Sequence, residues 1–362
     1  MKKAGKKLVA MGLTLGIAFS MAACGGGTSE NSTSSAAGGS SDAGTADSEI
    51  KIGFLTNSMG TQSFNDDIWA GLERVQDELG ISAEYIETPE ITDAANSLRT
   101  LIAQGNNLLI VGAAEFHDAM MDVAEEYPDC KFMYLADEET GAENVMSTVY
   151  RENEAAFLGG VLAASMSESG KIGTVLAVQE PVQTRYQYGY MAGAKTADPN
   201  CEVSVMFTNS YTDTNLGQES ARALYQQGCD YVSCFAGACN LGVFNAAKEA
   251  GDGKYCLGAA TGQFDQMPDK IVASVVKPID VALFDMIKDY QDSGEFAGGT
   301  CKSLGLAEGG VELRYTNIND ELLNSIPQEV LDKVEEVRQQ IIDGELQVPS
   351  SEEEYNAYIA DL

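Results

Sequence analysis

The 362 residues carry 22 Lys and Arg, 55 Asp and Glu and one His, for a formal net charge of −33 at pH 7. A surface this acidic excludes nucleic acid and anionic lipid headgroups as principal partners. With no CxxC pair and a lone His117, zinc-ligand spacing is absent, and neither a metal nor a cofactor is expected.

The chain opens on an address. Lys2, Lys3, Lys6 and Lys7 precede an apolar run from Leu8 to Ala23. Residues 1–23 therefore read as a secretory signal, too short and wrongly flanked for a spanning helix. The segment ends Met21-Ala-Ala-Cys24, which resembles a bacterial lipobox, so cleavage before Cys24 and lipidation of that cysteine are expected. Residues 24–49, rich in Gly, Ser and Thr, cannot bury a core and read as a flexible tether. No other run is long and apolar enough to span a bilayer.

Ile52–Leu55 reads as a buried strand, followed by a Gly/Ser/Asn loop and a helix carrying Ile68, Trp69, Leu72, Val75 and Leu79 at helical spacing. Ser63 or Asn65 can cap that helix. Ligands of open α/β sheets bind beyond the carboxyl ends of the strands, which places Phe64 and Asn65, an aromatic face beside an amide, at a candidate site. Next come a weak strand at Ala83–Ile86 and a helix capped by Thr92 and closed by Gly105. A strand at Leu108–Val111, a helix over about 116–127 and a strand at Phe132–Leu135 follow. His117 reads as a surface or cap-region residue. The alternation predicts a parallel sheet with helices on both faces.

The pattern then recurs. Lys171-Ile-Gly echoes Lys51-Ile-Gly, Met191-Ala-Gly echoes Trp69-Ala-Gly, and Arg222-Ala-Leu-Tyr-Gln-Gln-Gly228 echoes Arg99-Thr-Leu-Ile-Ala-Gln-Gly105. Three echoes in order at nearly constant offset predict two similar lobes. The same alignment sets Phe64-Asn65 over Tyr186-Gln187, so each lobe offers an aromatic and an amide to a shared cleft. A Gly-rich stretch over 235–242 could hold a polar ligand through backbone N–H groups. Pro327–Gly344 is an amphipathic helix, and residues 346–362 read as a loose tail. Cys130, Cys201, Cys229, Cys234, Cys239, Cys256 and Cys301 permit no assigned pairing. Cys234 and Cys256 lie in apolar runs as small core residues. Neither a nucleophile elbow nor a Walker A loop occurs, which argues against an enzyme.

The lipobox, KIGFLTNSMGTQSFNDDIWAGL, YPDCKFMYLAD, ENEAAFLGGVLAA, KIGTVLAV and IVASVVKPIDVAL, in that order, resemble the basic membrane protein family. These are ABC-transporter substrate-binding lipoproteins that include bacterial purine nucleoside receptors. The resemblance covers about residues 50–345. It implies an α/β, type I periplasmic-binding-protein fold of two Rossmann-like lobes joined by a multi-crossing hinge. Lobe 1 would comprise 50–148 plus about 278–300, and lobe 2 would comprise 149–277 plus about 301–345. Phe64 and Asn65 match the family's base-stacking Phe-Asn. Asp137 matches an Asp at the cleft mouth, and Lys277 matches the Lys that contacts sugar. Phe235 lies near the second stacking aromatic. Asn57, Arg185, Tyr186 and Gly237 are further candidate ligand contacts. Two departures stand out: Thr56-Asn57 replaces the family's Thr-Asp, and Ala260 stands where its ribose-gripping Asp belongs. The resemblance implies a monomeric, lipid-anchored receptor for a nucleoside or nucleobase-like molecule, partnered by an ABC permease and ATPase. A surface sensor for another polar solute is the alternative.

Overall fold

The computed structural model describes residues 49–60, 64–260 and 262–362. The signal segment, the lipidation position Cys24, nearly all of the tether and the candidate cap Ser63 lie outside them. The first lobe runs β1 (Lys51–Thr56), α1 (Phe64–Leu79), β2 (Ser82–Glu87), α2 (Ala94–Ala103), β3 (Leu108–Val111), α3 (His117–Glu126), β4 (Lys131–Tyr134) and β5 (Val145–Tyr150). Strands β1 and β3 are buried on both faces, which is why they read as unbroken apolar runs rather than alternating ones. The expected cap Thr92 instead sits in a 3-10 turn over Ile91–Asp93. The helix behind it starts at Ala94 with no side-chain cap bond from Asp93.

The second lobe runs α4 (Glu152–Met166), β6 (Lys171–Leu176), α5 (Pro181–Ala197), β7 (Glu202–Phe207), α6 (Thr214–Gln226), β8 (Tyr231–Phe235), α7 (Asn240–Ala250), β9 (Tyr255–Ala260) and β10 (Ile271–Val276). The remaining elements are α8 (Ile279–Ser293), β11 (Thr300–Leu304), β12 (Glu312–Tyr315), α9 (Asp320–Asn324), α10 (Gln328–Ile342) and α11 (Glu352–Ala360).

The two six-stranded sheets have the orders β11-β5-β4-β3-β1-β2 and β12-β10-β9-β8-β6-β7. Apart from the outermost strands β11 and β12, the second order repeats the first. The sequence echoes fall on equivalent places. A Cβ on Gly53 would lie 3.0 Å from Leu101 Cβ, and one on Gly173 would lie 2.9 Å from Leu224 Cδ1. Each central strand thus needs glycine where a leucine of the covering helix presses on it. Gly105 (φ 98°) and Gly228 (φ 103°) end those helices in a conformation that glycine adopts without strain.

The chain crosses between the sheets after β5, after β10 and again after β11. Helix α8 packs on α1 of the first lobe, with the Arg74 guanidinium 3.7 Å from the Phe284 ring centre. The expected boundaries shift at two places. Strand β5 continues to Tyr150, and β11 pairs in parallel with it from Thr300↔Met146 to Leu304↔Tyr150. Residues 301–304 therefore belong to the first sheet, not the second lobe. Thr-Cys-Lys-Ser-Leu is a half-exposed edge strand with no apolar run to announce it. All the other strands pair in parallel except β12, which runs antiparallel to β10.

The end of the chain is not loose. Asn153 Nδ2 donates to Val348 O (2.8 Å). Helix α11 lies on α5, its Tyr355 buried and its Tyr358 hydroxyl 2.7 Å from Thr196 Oγ1. Ser351 caps α11, and that cap together with Tyr355 and Tyr358 was the available signal.

Candidate functional site

The carboxyl ends of both sheets face one cavity of about 130 Å³, open to solvent. Both lobes supply its walls. Of the residues expected at a site, Phe64, Asn65, Phe235, Lys277, Asn57, Tyr186 and Gly237 line it, and Asp137 and Arg185 do not.

In the first lobe, the loop after β1 and the first turn of α1 form a relay. Asn65 Nδ2 donates to Asn57 Oδ1 (2.7 Å), and Asn57 Nδ2 donates to Glu115 Oε1 (2.6 Å). Asn65 is thus inside the helix, where it orients Asn57, and is not its cap. Phe64 is partly exposed in the cavity. Gly112 makes room for it, since a Cβ there would stand 3.2 Å from Phe64 Cε1.

In the second lobe, Tyr186 and Phe235 stack with ring centres 4.3 Å apart and planes 9° from parallel. Gln187, the amide expected beside Tyr186, is absent from the cavity wall. One turn earlier on α5, the buried Gln183 accepts from Ala177 N (3.0 Å) and donates to Phe235 O (2.9 Å), tying the helix to the ends of β6 and β8. Within the Gly-rich stretch, two N–H groups are engaged inside the lobe rather than offered to a ligand. Ala238 N donates to Tyr211 O and Cys239 N to Ala236 O. Gly237 is required there because a Cβ would lie 2.8 Å from Tyr211 O.

Lys277, at the end of β10, is buried. Its ammonium lies 3.2 Å from Glu152 Oε1 and 4.4 Å from the centre of the Phe64 ring. Burial draws its pKa down, against the opposing pull of Glu152. Glu152, fully buried at the start of α4, also takes Arg185 Nε on its other oxygen (2.6 Å). Arg185 then reaches over to Asp137 Oδ1 of the first lobe, at 3.2 Å. Asp137 and Arg185 are therefore partners of each other across the lobes.

Sequence reasoning missed Glu152, Glu115, Glu180, Tyr211 and Asn240. A charge opening the otherwise apolar α4 was the available signal for Glu152. Glu180 and Tyr211 lie on short loops, Glu115 in a 3-10 turn and Asn240 at the start of α7, and only the fold reveals their convergence. Ala260 lines the cavity at φ 55°, and Thr261 lies outside the described residues. His117 does not line the cavity, and its Nε2 lies 2.9 Å from Glu139 Oε2. The seven cysteines from Cys130 onward are free thiols. No group of ligating side chains among the described residues could hold a metal ion.

Residues 51–352 match the family described as ABC transporter substrate-binding protein PnrA-like. Basic membrane protein B of Borrelia garinii subsp. bavariensis is 29% identical, over 87% of this chain and 92% of its own length. The ABC transporter nucleoside-binding protein BmpA of Lactococcus lactis subsp. cremoris is 29% identical, over 86% and 92%. An ABC transporter solute-binding protein from Aeropyrum pernix K1 superposes with a TM-score of 0.78 at 27% identity, over 86% of this chain and 97% of that one. No helix among the described residues is long and apolar enough to cross a membrane. The match over residues 51–352, on a two-lobed α/β fold with a cleft between the lobes, makes this chain a member of the PnrA-like, or basic membrane protein, family of ABC-transporter substrate-binding proteins, which are not enzymes.

Proposed function

We propose that the protein is a monomeric receptor, lipid-anchored through Cys24 on the extracytoplasmic face, that binds a nucleoside or nucleobase-like molecule between its lobes and delivers it to an ABC permease and ATPase. The observation that carries this reading is the pairing of Phe64 from one lobe with the stacked Tyr186 and Phe235 from the other around one cavity. A flat ring between such faces gains about 1–3 kcal/mol per stack. Lys277 supplies a donor at the same site, and Phe64, Asn65, Phe235, Lys277, Asn57 and Tyr186 would be direct contacts. Closure over the ligand gives the permease a distinct state to recognise.

Melting the purified protein with millimolar nucleosides, nucleobases, sugars or amino acids tests the reading. A ligand at 100 times its Kd stabilises the folded state by about 2.7 kcal/mol, a rise of several degrees. Nucleosides without effect beside an active sugar would transfer the cleft to that solute class. A missing aspartate at Ala260 would then be the leading cause.

A further inference from the structure

The cleft is polarised. Lys277 stands at the β9–β10 end, while Glu115, beyond β3, and Glu180, beyond β6, approach the other end from opposite lobes. Neither carboxylate makes an ion pair with a lysine or arginine among the described residues. Each has one oxygen engaged by a neutral donor: Glu115 by Asn57 Nδ2, Glu180 by the Tyr211 hydroxyl. The second oxygen of each carboxylate remains. Gln183 and Asn240 each turn an amide N–H inward within the second lobe, to Phe235 O and Gln263 Oε1. An ionised carboxylate only accepts hydrogen bonds. Burial pushes the Glu180 carboxyl up; the Tyr211 hydrogen bond and the Arg185 charge pull it down by less, while the charges of Glu115 and Asp137 add to the rise. The cleft thus presents two carboxylates from opposite lobes that a donor between them would serve.

We infer that Glu115 and Glu180 set the specificity of this cleft for an amino-bearing base, of the adenine or cytosine type, whose exocyclic N–H groups bridge the two carboxylates. The inference rests on the nucleoside reading above and narrows it. A keto oxygen set between the two carboxylates would receive no hydrogen bond from them while they are ionised. A site built for a donor rejects an analogue lacking it, because its buried acceptors are left unpaired.

The test is calorimetric titration of the full-length protein with two matched pairs, adenosine against inosine and cytidine against uridine. Glu115→Gln and Glu180→Gln, which keep side-chain shape and add a donor, are titrated alongside, with melting curves to establish folding. The amino member of each pair should bind roughly tenfold or more tightly to the wild type. Each variant should lose most of that ratio, chiefly by binding the keto member better. Equal affinities within the pairs, or a preference unchanged in both variants, would overturn the inference while leaving nucleoside binding intact. If 2′,3′-dideoxyadenosine binds far more weakly than adenosine while the amino–keto ratio is near one, the carboxylates read sugar hydroxyls and the inference fails. No binding by any nucleoside or nucleobase overturns both readings together.

Discussion

Arg185 on α5 and Asp137 beyond β4 form an ion pair between the two lobes, with Nη1 3.2 Å from Oδ1 and both side chains mostly withdrawn from solvent. Neither residue lines the cavity. We predict that the pair acts on lobe closure rather than on the ligand. Asp137→Asn keeps the shape of the side chain and removes its charge. A lost charge-assisted hydrogen bond of about 1.5–3 kcal/mol should destabilise closure and weaken nucleoside binding about tenfold, with little change in Tm. Arg185→Ala should behave differently. It strips Glu152, whose side chain is only 1% exposed, of one of its two cations. Removing one partner of a buried ion pair costs about 3–5 kcal/mol, so this variant should melt many degrees lower. Calorimetric titration and thermal melting of both variants check the contrast. An Asp137→Asn protein that binds like wild type, or an Arg185→Ala protein that melts like it, would refute the division of roles.

The aromatic walls make separable predictions. Phe64 is partly exposed in the cleft, whereas Phe235 is 3% exposed and stacked on Tyr186. Phe64→Ala should weaken binding by about 1–3 kcal/mol and leave the melting temperature nearly unchanged. Phe235→Ala removes a core side chain as well, and should cost about 3–5 kcal/mol of fold stability. A Phe64→Ala variant with unaltered affinity would show that this ring only seats the start of α1.

Much of the architecture was legible before the structure because central strands buried on both faces produce unbroken apolar runs. The repeat was legible because Gly53 and Gly173 must each admit a leucine, so the same residues recur at the same place in both lobes. Phe64 and Tyr186 followed from that alignment, since both first helices start beyond the first strand of their lobe. Gln187 did not follow. Helix α5 begins nearer its strand than α1 does, and Gln183 takes the position facing the cavity. The Asp137–Arg185–Glu152–Lys277 chain could not be read at all. Its members are spread over 137–277 and meet only where the chain crosses between the sheets. Strand β11 was misassigned for a related reason. Its partner β5 lies some 150 residues earlier, and its own half-exposed residues carry no period.

His117 is the one histidine of the chain, so its titration can be followed without ambiguity by NMR. Burial lowers its pKa, but hydrogen bonds to Glu139 and Asp118 outweigh this and hold it above the usual 6.5. A folded pKa raised above the unfolded value adds stability that is complete below about 6.5. That stability fades as pH rises through the folded value. The ring is about one-third exposed, so the effect should stay below about 1 kcal/mol. Glu139→Gln should bring the titration midpoint back toward the ordinary value and flatten this part of the pH–stability curve. A wild-type midpoint at or below 6.5 would contradict the arrangement.

Asp67 on α1 should produce the opposite of the usual carboxylate behaviour. It is buried, and its Oδ2 has no hydrogen-bond partner. Burial first, then the charges of Asp280 and Asp66, push its pKa to about 8, while Lys277 and Arg314 pull it down by less. Between about pH 4 and 8 the folded state holds a proton here that the unfolded chain has released. More protons bound in the folded state means that stability falls as pH rises through this window, and is complete only below it. Asp67→Asn removes the ionisable group while keeping its size. The variant should match wild type near pH 4 and exceed it by on the order of 1–3 kcal/mol near pH 8, where wild type must bury an unpaired charge. Paired urea titrations of the two proteins at pH 4, 6 and 8 would show the difference growing with pH. A difference that is constant across the series, or a variant less stable at pH 8, would mean that the carboxylate is ionised and satisfied in the folded protein.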